Sequence, residues 1–267
     1  MPEAFAATQE TREFRQAMIA AHASGSAQVD ISNFTPTMKQ KIRQHYQGLI
    51  RIIDKQVGDM VRAIDAFDNG RDTLVVFSSD HGDFLGDYDF LGKALFHESS
   101  MRVPMIISGP QIQPGRSDAL VSLSDVFATF THAAGITHTA QDSLPLPGIG
   151  FGDTQRQCVM GATDMGYMIC TNRLKLCRYH NGVITLHDIV NDPEEQQNLF
   201  NDPEYNRQRD TLDRQLSTWL THSLMDGHSD KGYPYMTMTP GHPGHLRGWQ
   251  RTYPAQSSGW MNAPITL

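Results

Sequence analysis

The sequence has few cysteines and no long apolar segment, and both absences narrow the class of protein. Its three cysteines, Cys158, Cys170 and Cys177, are odd in number and lack the spacing of zinc ligands. This pattern argues against a disulfide framework and indicates a reducing compartment, so we expect a cytoplasmic protein. No run of about 18 apolar residues occurs, and no charged segment followed by an apolar one lies near Met1, so no membrane association is expected.

An excess of positive charge is also absent. The chain has 22 Lys and Arg residues against 29 Asp and Glu residues, which gives a formal net charge of -7. An acidic protein has no general attraction for nucleic acid or anionic membrane surfaces, and we expect neither as a partner. An anionic substrate would need a local cationic site made from a metal ion or a few Lys, Arg and His side chains.

The first 150 residues show a pattern typical of an α/β fold. A short helix is predicted over Thr11–Ala23. Thr35-Pro36 begins a long amphipathic helix that ends at Asp68-Asn69-Gly70. The apolar run over residues 73–79 predicts a strand buried on both faces of a parallel sheet. A second strand over 103–108 and a helix over 124–134 follow. The apolar positions of the long helix recur every three or four residues: Ile42, Tyr46, Leu49, Ile53, Val57, Met60, Ile64 and Phe67.

Beyond residue 150 the sequence changes to short alternating segments, which predict a small antiparallel sheet. Asn181-Gly182 is a tight turn between the last two strands. A helix over residues 203–223 would pack on the sheet. We therefore expect a core over residues 1–150, an α+β subdomain over 151–222, and a Pro/Gly-rich arm or tail over 223–267. The predicted strands are Cys158–Ala162, Tyr167–Thr171, Arg173–His180 and Val183–Ile189.

The segment after the first predicted strand carries the candidate chemistry. Asp80 and His81 follow that strand directly, and ligands bind beyond the carboxyl ends of strands in open α/β sheets. A carboxylate oxygen and a neutral imidazole nitrogen can together bind one divalent cation. Gly82 then allows the backbone to turn away sharply. A triplet this short also occurs in ordinary turns, so its neighbours decide its meaning.

Lys93 and His97 are the neighbours of interest. The loop around Lys93 is otherwise acidic, and an ammonium group near a metal can bind a substrate oxyanion and stabilise charge developing on a leaving oxygen. A solvated loop lysine is the alternative. His97 is compatible with a role in the substrate pocket or with a satisfied structural histidine. Glu98 and Arg102 are expected to form a buried pair that ties this loop to the next strand.

These residues stand in motifs that resemble the C-terminal block of type I sulfatases, in the alkaline-phosphatase-like superfamily. The resemblance favours the branch with phosphonate monoester hydrolases and choline-sulfatase-like enzymes, and it extends over residues 36–222. The motifs are Ser79-Asp80-His81-Gly82, Leu85-Gly86-Asp87, Leu91-Gly92-Lys93, Glu98-Ser99 and Met101-Arg102-Val103-Pro104-Met105-Ile106-Ile107.

The resemblance implies a fold, a cofactor and a substrate class. The fold would be a partial alkaline-phosphatase-like sulfatase core of α/β class, followed by a small antiparallel β plus helix subdomain. Asp80 and His81 would be ligands of one divalent metal, which is Ca, Mn or Mg. Lys93 would contact the substrate oxygens and the leaving group, with His97 near the substrate. The substrate would be a small-molecule sulfate monoester, or a phosphonate or phosphate ester.

One element of the family is missing from this sequence. The family's nucleophile is a hydrated formylglycine made in a Cys/Ser-x-Pro-x-Arg segment, and no such segment occurs here. We therefore expect a truncated half, inactive alone, that depends on the missing N-terminal half or forms a homo-oligomer, since a divided sheet exposes apolar faces. A non-catalytic remnant with a metal or anion pocket is the alternative. A serine hydrolase using Ser78 or Ser79 is disfavoured because no nucleophile-elbow pattern surrounds them.

Overall fold

A computed structural model describes residues 4–21, 28–68, 73–109, 112–136, 142–147 and 156–236. By its internal contacts the chain divides into two units, Met1–Leu212 and Asp213–Leu267. The predicted arm lies mostly outside the described residues. The predicted boundaries near residues 150 and 222 stay predictions.

Two helices and a short strand form the N-terminal part. Helix α1 spans Gln9–Ala21, strand β1 spans Gln28–Asp30 and helix α2 spans Pro36–Asp68. The start of α2 is confirmed, with Pro36 in its first turn and the Thr35 hydroxyl accepting from the Met38 N–H at 3.3 Å. Helix α1 begins two residues before its predicted start, and its predicted end at Ala23 lies outside the described residues.

Strands β2 (Val75–Ser78) and β4 (Met105–Ser108) confirm the two predicted strands but not their expected arrangement. They pair antiparallel, with Val75 opposite Ser108, and β2 is half-buried rather than covered on both faces. The prediction of a parallel sheet is therefore wrong for this pair. A continuous apolar run predicts that a strand is buried, but it does not predict the direction of the neighbouring strand. That direction depends on the connection, which here reverses the chain without a crossover helix.

The connection between β2 and β4 contains short elements that the sequence pattern did not predict. Strand β3 (Phe90–Gly92) pairs antiparallel with β1, and helix α3 spans only Glu98–Met101. Both are too short to show a hydrophobic period. Six residues of this connection have positive φ angles, a conformation that costs free energy outside glycine and is held by surrounding contacts. They are Leu85, Gly86, Tyr88, Asp89, Gly92 and Ala94.

Most of the later elements agree closely with the predictions, but the helix after the meander continues past its predicted end at residue 223 into the segment predicted as an arm. Helix α4 spans Asp125–Ala133, and Gly135 follows it with a φ of 70°. Gly182, at a φ of 87°, closes the predicted hairpin turn. Helix α5 spans Asn206–Met236, beginning in the first unit and continuing in the second. Four strands form an antiparallel meander: β5 Val159–Thr163, β6 Gly166–Cys170, β7 Leu174–Tyr179 and β8 Ile184–Asp188.

The main hydrophobic core fixes the β2–β4 connection against the meander. Aromatic side chains of the connection pack with α1 and with β6 and β7, so the loop that bears the candidate residues is anchored from one side. Burial of several large aromatic side chains, each worth about 1.5–3 kcal/mol, makes this the principal stabilising contact of the site. The cluster includes Met18, Phe84, Tyr88, Phe90, Phe96, Met168, Cys177 and Tyr179.

Helix α2 does not bury the apolar face that its sequence pattern predicts. No residue of 36–67 is buried, and the described residues supply no element that covers this face. Among the described residues, no helix combines the length and apolar character needed to cross a bilayer. The exposed large apolar side chains of α2 are Met38, Leu49, Ile50, Ile52, Ile53, Met60, Val61 and Phe67.

Candidate active site

Asp80 and His81 lie where β2 ends, and local hydrogen bonds fix their backbone. The Ser78 hydroxyl donates to the Pro104 carbonyl at 2.8 Å, which ties the strand end to the start of β4. The Ser79 hydroxyl donates to the His81 carbonyl at 3.0 Å, and the His81 N–H donates to Asp80 Oδ1 at 3.0 Å. The turn therefore holds both side chains at the end of the strand.

The Asp80 carboxylate faces solvent and the His81 ring. Asp80 Oδ2 lies 3.3 Å from His81 Nε2, with Asp80 82% exposed and His81 36% exposed. Slight desolvation acts to raise the pKa of Asp80. The backbone hydrogen bond from His81 and the nearby positive charge of Lys93 act in the opposite direction and outweigh it, so this pKa lies below its ordinary value. The Asp80 carboxylate is therefore ionised at neutral pH, and its oxygens can bind a cation.

The tautomer of His81 follows from its contacts. His81 Nδ1 lies 2.8 Å from the Gly82 carbonyl, which can only accept, so Nδ1 carries the proton. The Nε2 lone pair is then available, and the Lys93 ammonium contacts it directly. The connection thus brings Asp80, His81 and Lys93 together at one strand end.

The acidic residues around Lys93 have other partners. Asp83 Oδ1 accepts from the N–H groups of Leu85 and Gly92 at 2.8 and 3.1 Å. Asp87 accepts from the Ser99 hydroxyl at 2.5 Å, and Asp89 pairs with Arg15 at 2.9 Å. These carboxylates are bound by groups within or beside the loop, so Lys93 is not needed to neutralise them.

Gly82 allows the turn after His81 to lie directly against α3. Its N–H donates to the Ser100 carbonyl at 2.7 Å, and a Cβ at this position would lie 2.1 Å from the Ser99 carbonyl oxygen. No larger residue fits without moving the backbone. The turn after His81 is therefore packed directly on α3.

His97 lies in an aromatic cluster rather than beside Lys93. It is buried, with ring centroids 5.0 Å from Tyr88, 5.2 Å from Phe14 and 5.7 Å from Phe84. Its ring lines a cavity whose lining includes none of Asp80, His81 and Lys93. No contact of its ring therefore supports the predicted role in substrate binding.

The expected pair of Glu98 and Arg102 is present, but it is not buried, and Glu98 has a second and nearer partner. Arg102 is 81% exposed and lies 3.8 Å from Glu98. The Lys175 ammonium lies 2.8 Å from Glu98 and 2.7 Å from Glu195, with the side chains of Lys175 and Glu195 each 1% exposed. Burial acts to lower the pKa of Lys175, but the carboxylates of Glu195 and Glu98 raise it above its ordinary value.

Sequence reasoning missed Lys175 and Glu195. The available signal was a lysine inside the otherwise apolar run Leu174-Lys175-Leu176-Cys177, since a strand residue with apolar neighbours on both faces is a candidate for a buried ion pair. Glu195 carried no signal, because its burial depends on where the loop after β8 folds.

Asp80 and His81 fit part of a divalent metal shell. One hard oxygen and one imidazole nitrogen suit Ca, Mg or Mn, which bind six or more ligands in all. Among the described residues, no cluster of three or more His, Cys, Asp or Glu side chains is arranged to hold a metal. Further ligands would have to come from elsewhere.

The family of the chain follows from comparison with known proteins. The sulfatase family profile matches residues 2–136, just over half of the 267 residues. The chain belongs to the sulfatase family. It is similar to an arylsulfatase of Clostridium perfringens, with 29% identity over 74% of this chain and 45% of that protein. It is also similar to a choline-sulfatase of Rhizobium meliloti, with 37% identity over 40% of this chain and 22% of that protein.

A solved sulfatase-like structure confirms the fold. The phosphonate monoester hydrolase of Agrobacterium radiobacter superposes with a TM-score of 0.69 at 25% identity, over 83% of this chain and 51% of that one. The predicted α/β sulfatase core, with its small antiparallel sheet and helix at the C-terminal end, is therefore confirmed. This sulfatase chain spans less than half the length of the two curated relatives named above.

Proposed function

We propose that this chain carries two metal ligands and the lysine on one side of a sulfatase active site that hydrolyses sulfate monoesters. The observation that carries the proposal is the grouping of Asp80, His81 and Lys93 at the end of β2. The carboxylate and the imidazole lone pair suit a divalent cation, and such a cation together with the ammonium group would suit a tetrahedral oxyanion. Phosphonate and phosphate esters share that geometry, and similarity to the phosphonate monoester hydrolase makes them the second substrate class.

Asp80 Oδ2 and His81 Nε2 are the atoms that would hold a divalent metal. Such a metal supplies Lewis-acid polarisation of the substrate oxygens and orients the ester. With Nε2 held by a metal, the Lys93 ammonium would no longer have a partner on His81 and would be available to the substrate. Its positive charge would then stabilise the negative charge that develops on the leaving oxygen.

The nucleophile would come from another segment of the sulfatase polypeptide, as a formylglycine made in the motif that this sequence lacks. Two observations support this part of the proposal. The chain spans less than half the length of its curated relatives, and α2 leaves its apolar face uncovered. We propose that the segment with the nucleophile covers α2, with a second copy of the chain as the alternative cover.

The test compares this chain alone with a version extended by the coding region upstream of Met1. Both are assayed with an aryl sulfate and an aryl phosphonate in the presence of Mn or Ca. We expect turnover only in the extended protein, and its ratio of rates on the two esters assigns the substrate class. Turnover by the isolated chain that is abolished in Lys93→Ala would contradict the proposal that this part is inactive alone.

A non-catalytic remnant is the second candidate, favoured by the absence of a Cys/Ser-x-Pro-x-Arg segment from this sequence. It would retain a metal or anion pocket at Asp80 and His81 without turnover. An upstream region without the nucleophile motif, together with metal binding by the chain, would support it. For either function we propose a cytoplasmic location, with which the free thiols of Cys158, Cys170 and Cys177 agree.

A further inference from the structure

A cavity of about 310 Å³ lies between α1 and the end of the meander, apart from the proposed active site. Its mouth carries the exposed carboxylates of Glu10 and Glu13, and its inner wall includes the buried residues Thr185, His187 and Glu195. Cavities of about 300–1,000 Å³ hold small molecules in proteins. The space is therefore large enough for a ligand of several heavy atoms.

Two buried histidines line this cavity with unpaired ring nitrogens. His97 and His187 are each 5% exposed, and their ring centroids lie 6.0 Å apart. The Nδ1 atom of His97 and both ring nitrogens of His187 form no hydrogen bond of normal distance and angle, although the Gln197 backbone lies near enough to the His187 ring to act against the lowering of its pKa. Burial lowers the pKa of both rings, so each is neutral and offers one donor and one acceptor. Such nitrogens are costly to bury unless a ligand pairs with them.

The charge at the mouth is negative. Glu10 accepts from the Asn198 N–H at 2.9 Å and Glu13 accepts from the Gln9 amide at 3.0 Å, both neutral donors. Neither carboxylate forms an ion pair with any residue that the structure describes. The deeper Glu195 is already neutralised by Lys175 at 2.7 Å. An anion such as a sulfate ester would be repelled at this mouth, whereas a cation would be attracted.

The wall between mouth and floor is partly aromatic. Phe14 lines the cavity, and its ring centroid lies 5.2 Å from that of His97. The face of an aromatic ring attracts an organic cation within about 6 Å. Carboxylates and an aromatic ring at one end, with imidazole nitrogens at the other, match a molecule with a positive group and a hydroxyl group.

We propose that this cavity binds a small organic cation that carries an ammonium group and a hydroxyl group. The ammonium group lies between Glu10, Glu13 and the Phe14 ring. The hydroxyl group reaches inward and pairs with His97 and His187. The site is separate from ester hydrolysis and stands whether or not the chain contributes to turnover.

The test is titration of the full chain with ethanolamine, followed by calorimetry or ligand-observed NMR. Propan-1-ol serves as a neutral probe of similar size, and glycolate as an anionic one. We expect saturable binding of ethanolamine only, weakened about fivefold or more in Glu13→Gln, which removes one charged partner at an exposed position. The matched control Glu204→Gln, an exposed carboxylate outside the cavity, should bind as the unmodified chain does.

A second variant, His187→Phe, tests the inner end of the cavity in protein whose fold is verified by circular dichroism. It should weaken ethanolamine more than it weakens methylammonium, which lacks the hydroxyl group. Absence of saturable ethanolamine binding, equal binding of propan-1-ol, or an unchanged affinity in Glu13→Gln would overturn the proposal. Zn²⁺ binding that is lost in His187→Phe, without ethanolamine binding, would overturn it in favour of a metal site.

Discussion

Lys175 on β7 and Glu98 at the start of α3 are 77 positions apart in sequence and form an ion pair at 2.8 Å. Lys175 also binds Glu195, whose second oxygen accepts from the Glu98 N–H at 2.7 Å. Helix α3 in turn holds the Gly82 turn through the Ser100 carbonyl. A continuous set of contacts therefore joins the meander to the residues that flank Asp80 and His81.

Removing the Lys175 ammonium should strongly destabilise the chain. Lys175→Met leaves the buried carboxylate of Glu195 without a counter-charge and removes the nearer partner of the half-buried Glu98, and breaking a buried pair in this way costs about 3–5 kcal/mol. Combining it with Glu98→Gln and Glu195→Gln should recover most of the loss, because no buried charge then remains. Urea unfolding measures both changes. Lys55→Met, which removes an exposed pair with Asp59, should change the free energy of unfolding by less than about 0.5 kcal/mol.

Gly82→Ala should disrupt the turn beside the proposed metal ligands, Asp80 and His81. The added Cβ would lie 2.1 Å from the Ser99 carbonyl oxygen, so backbone must move at a cost of about 1–3 kcal/mol. Gly48→Ala is the matched control, because nothing lies within 4 Å of its added Cβ and alanine favours a helix by up to about 1 kcal/mol. The midpoint temperature of thermal unfolding should decrease in Gly82→Ala and increase in Gly48→Ala. Equal shifts for the two variants would contradict the close packing of Gly82 on α3.

Lys93→Met should affect turnover of the extended enzyme more than its metal affinity. Loss of the ammonium group removes charge stabilisation at the leaving oxygen, for which a reduction in kcat of about 100-fold or more is expected. Asp80→Asn should instead weaken Mn²⁺ binding, measured by electron paramagnetic resonance. Lys41→Met, at an exposed position of α2, is the charge-matched control. A Lys93→Met enzyme with unchanged kcat would exclude Lys93 from the chemistry.

The buried histidines should make stability fall in mild acid. Burial, with smaller contributions from His187 and Lys175, lowers the pKa of His97 well below 6.5, so below that pH the unfolded chain binds more protons than the folded chain. The free energy of unfolding should be flat above about pH 6.5 and decrease below it, and His97→Phe should flatten this decrease. Asp80 and Asp188 have lowered pKa values, so they change the free energy of unfolding only below about pH 4. His180→Gln, at an exposed position, should keep the original profile.

The exposed apolar face of α2 should determine the oligomeric state of the isolated chain in solution. We expect sedimentation to show self-association that decreases in Ile53→Glu, which places a charge at an apolar position that is 48% exposed. Gln56→Glu adds the same charge at an exposed polar position of the same helix and should have little effect. A monomeric chain that unfolds cooperatively would contradict this prediction.

Local features of the fold were predictable because each rests on a few neighbouring residues. The N-terminal cap of α2, the hairpin at Gly182 and the grouping of Asp80, His81 and Lys93 all follow from short motifs. The antiparallel pairing of β2 with β4 and the burial of Lys175 do not, since each depends on contacts between distant segments. His97 illustrates the limit: its position near Lys93 in sequence suggested the substrate pocket, whereas tertiary packing turned its ring toward Phe14 and His187.

The uncovered face of α2 has a consequence for the chain inside a cell. Chaperones and proteases recognise exposed apolar surface, and they act continuously on polypeptides that display it. If the covering segment is made as a separate chain, the lifetime of this chain is set by the supply of that segment. Copies made in excess would be degraded, so the abundance of the two parts would be matched without any control of their synthesis.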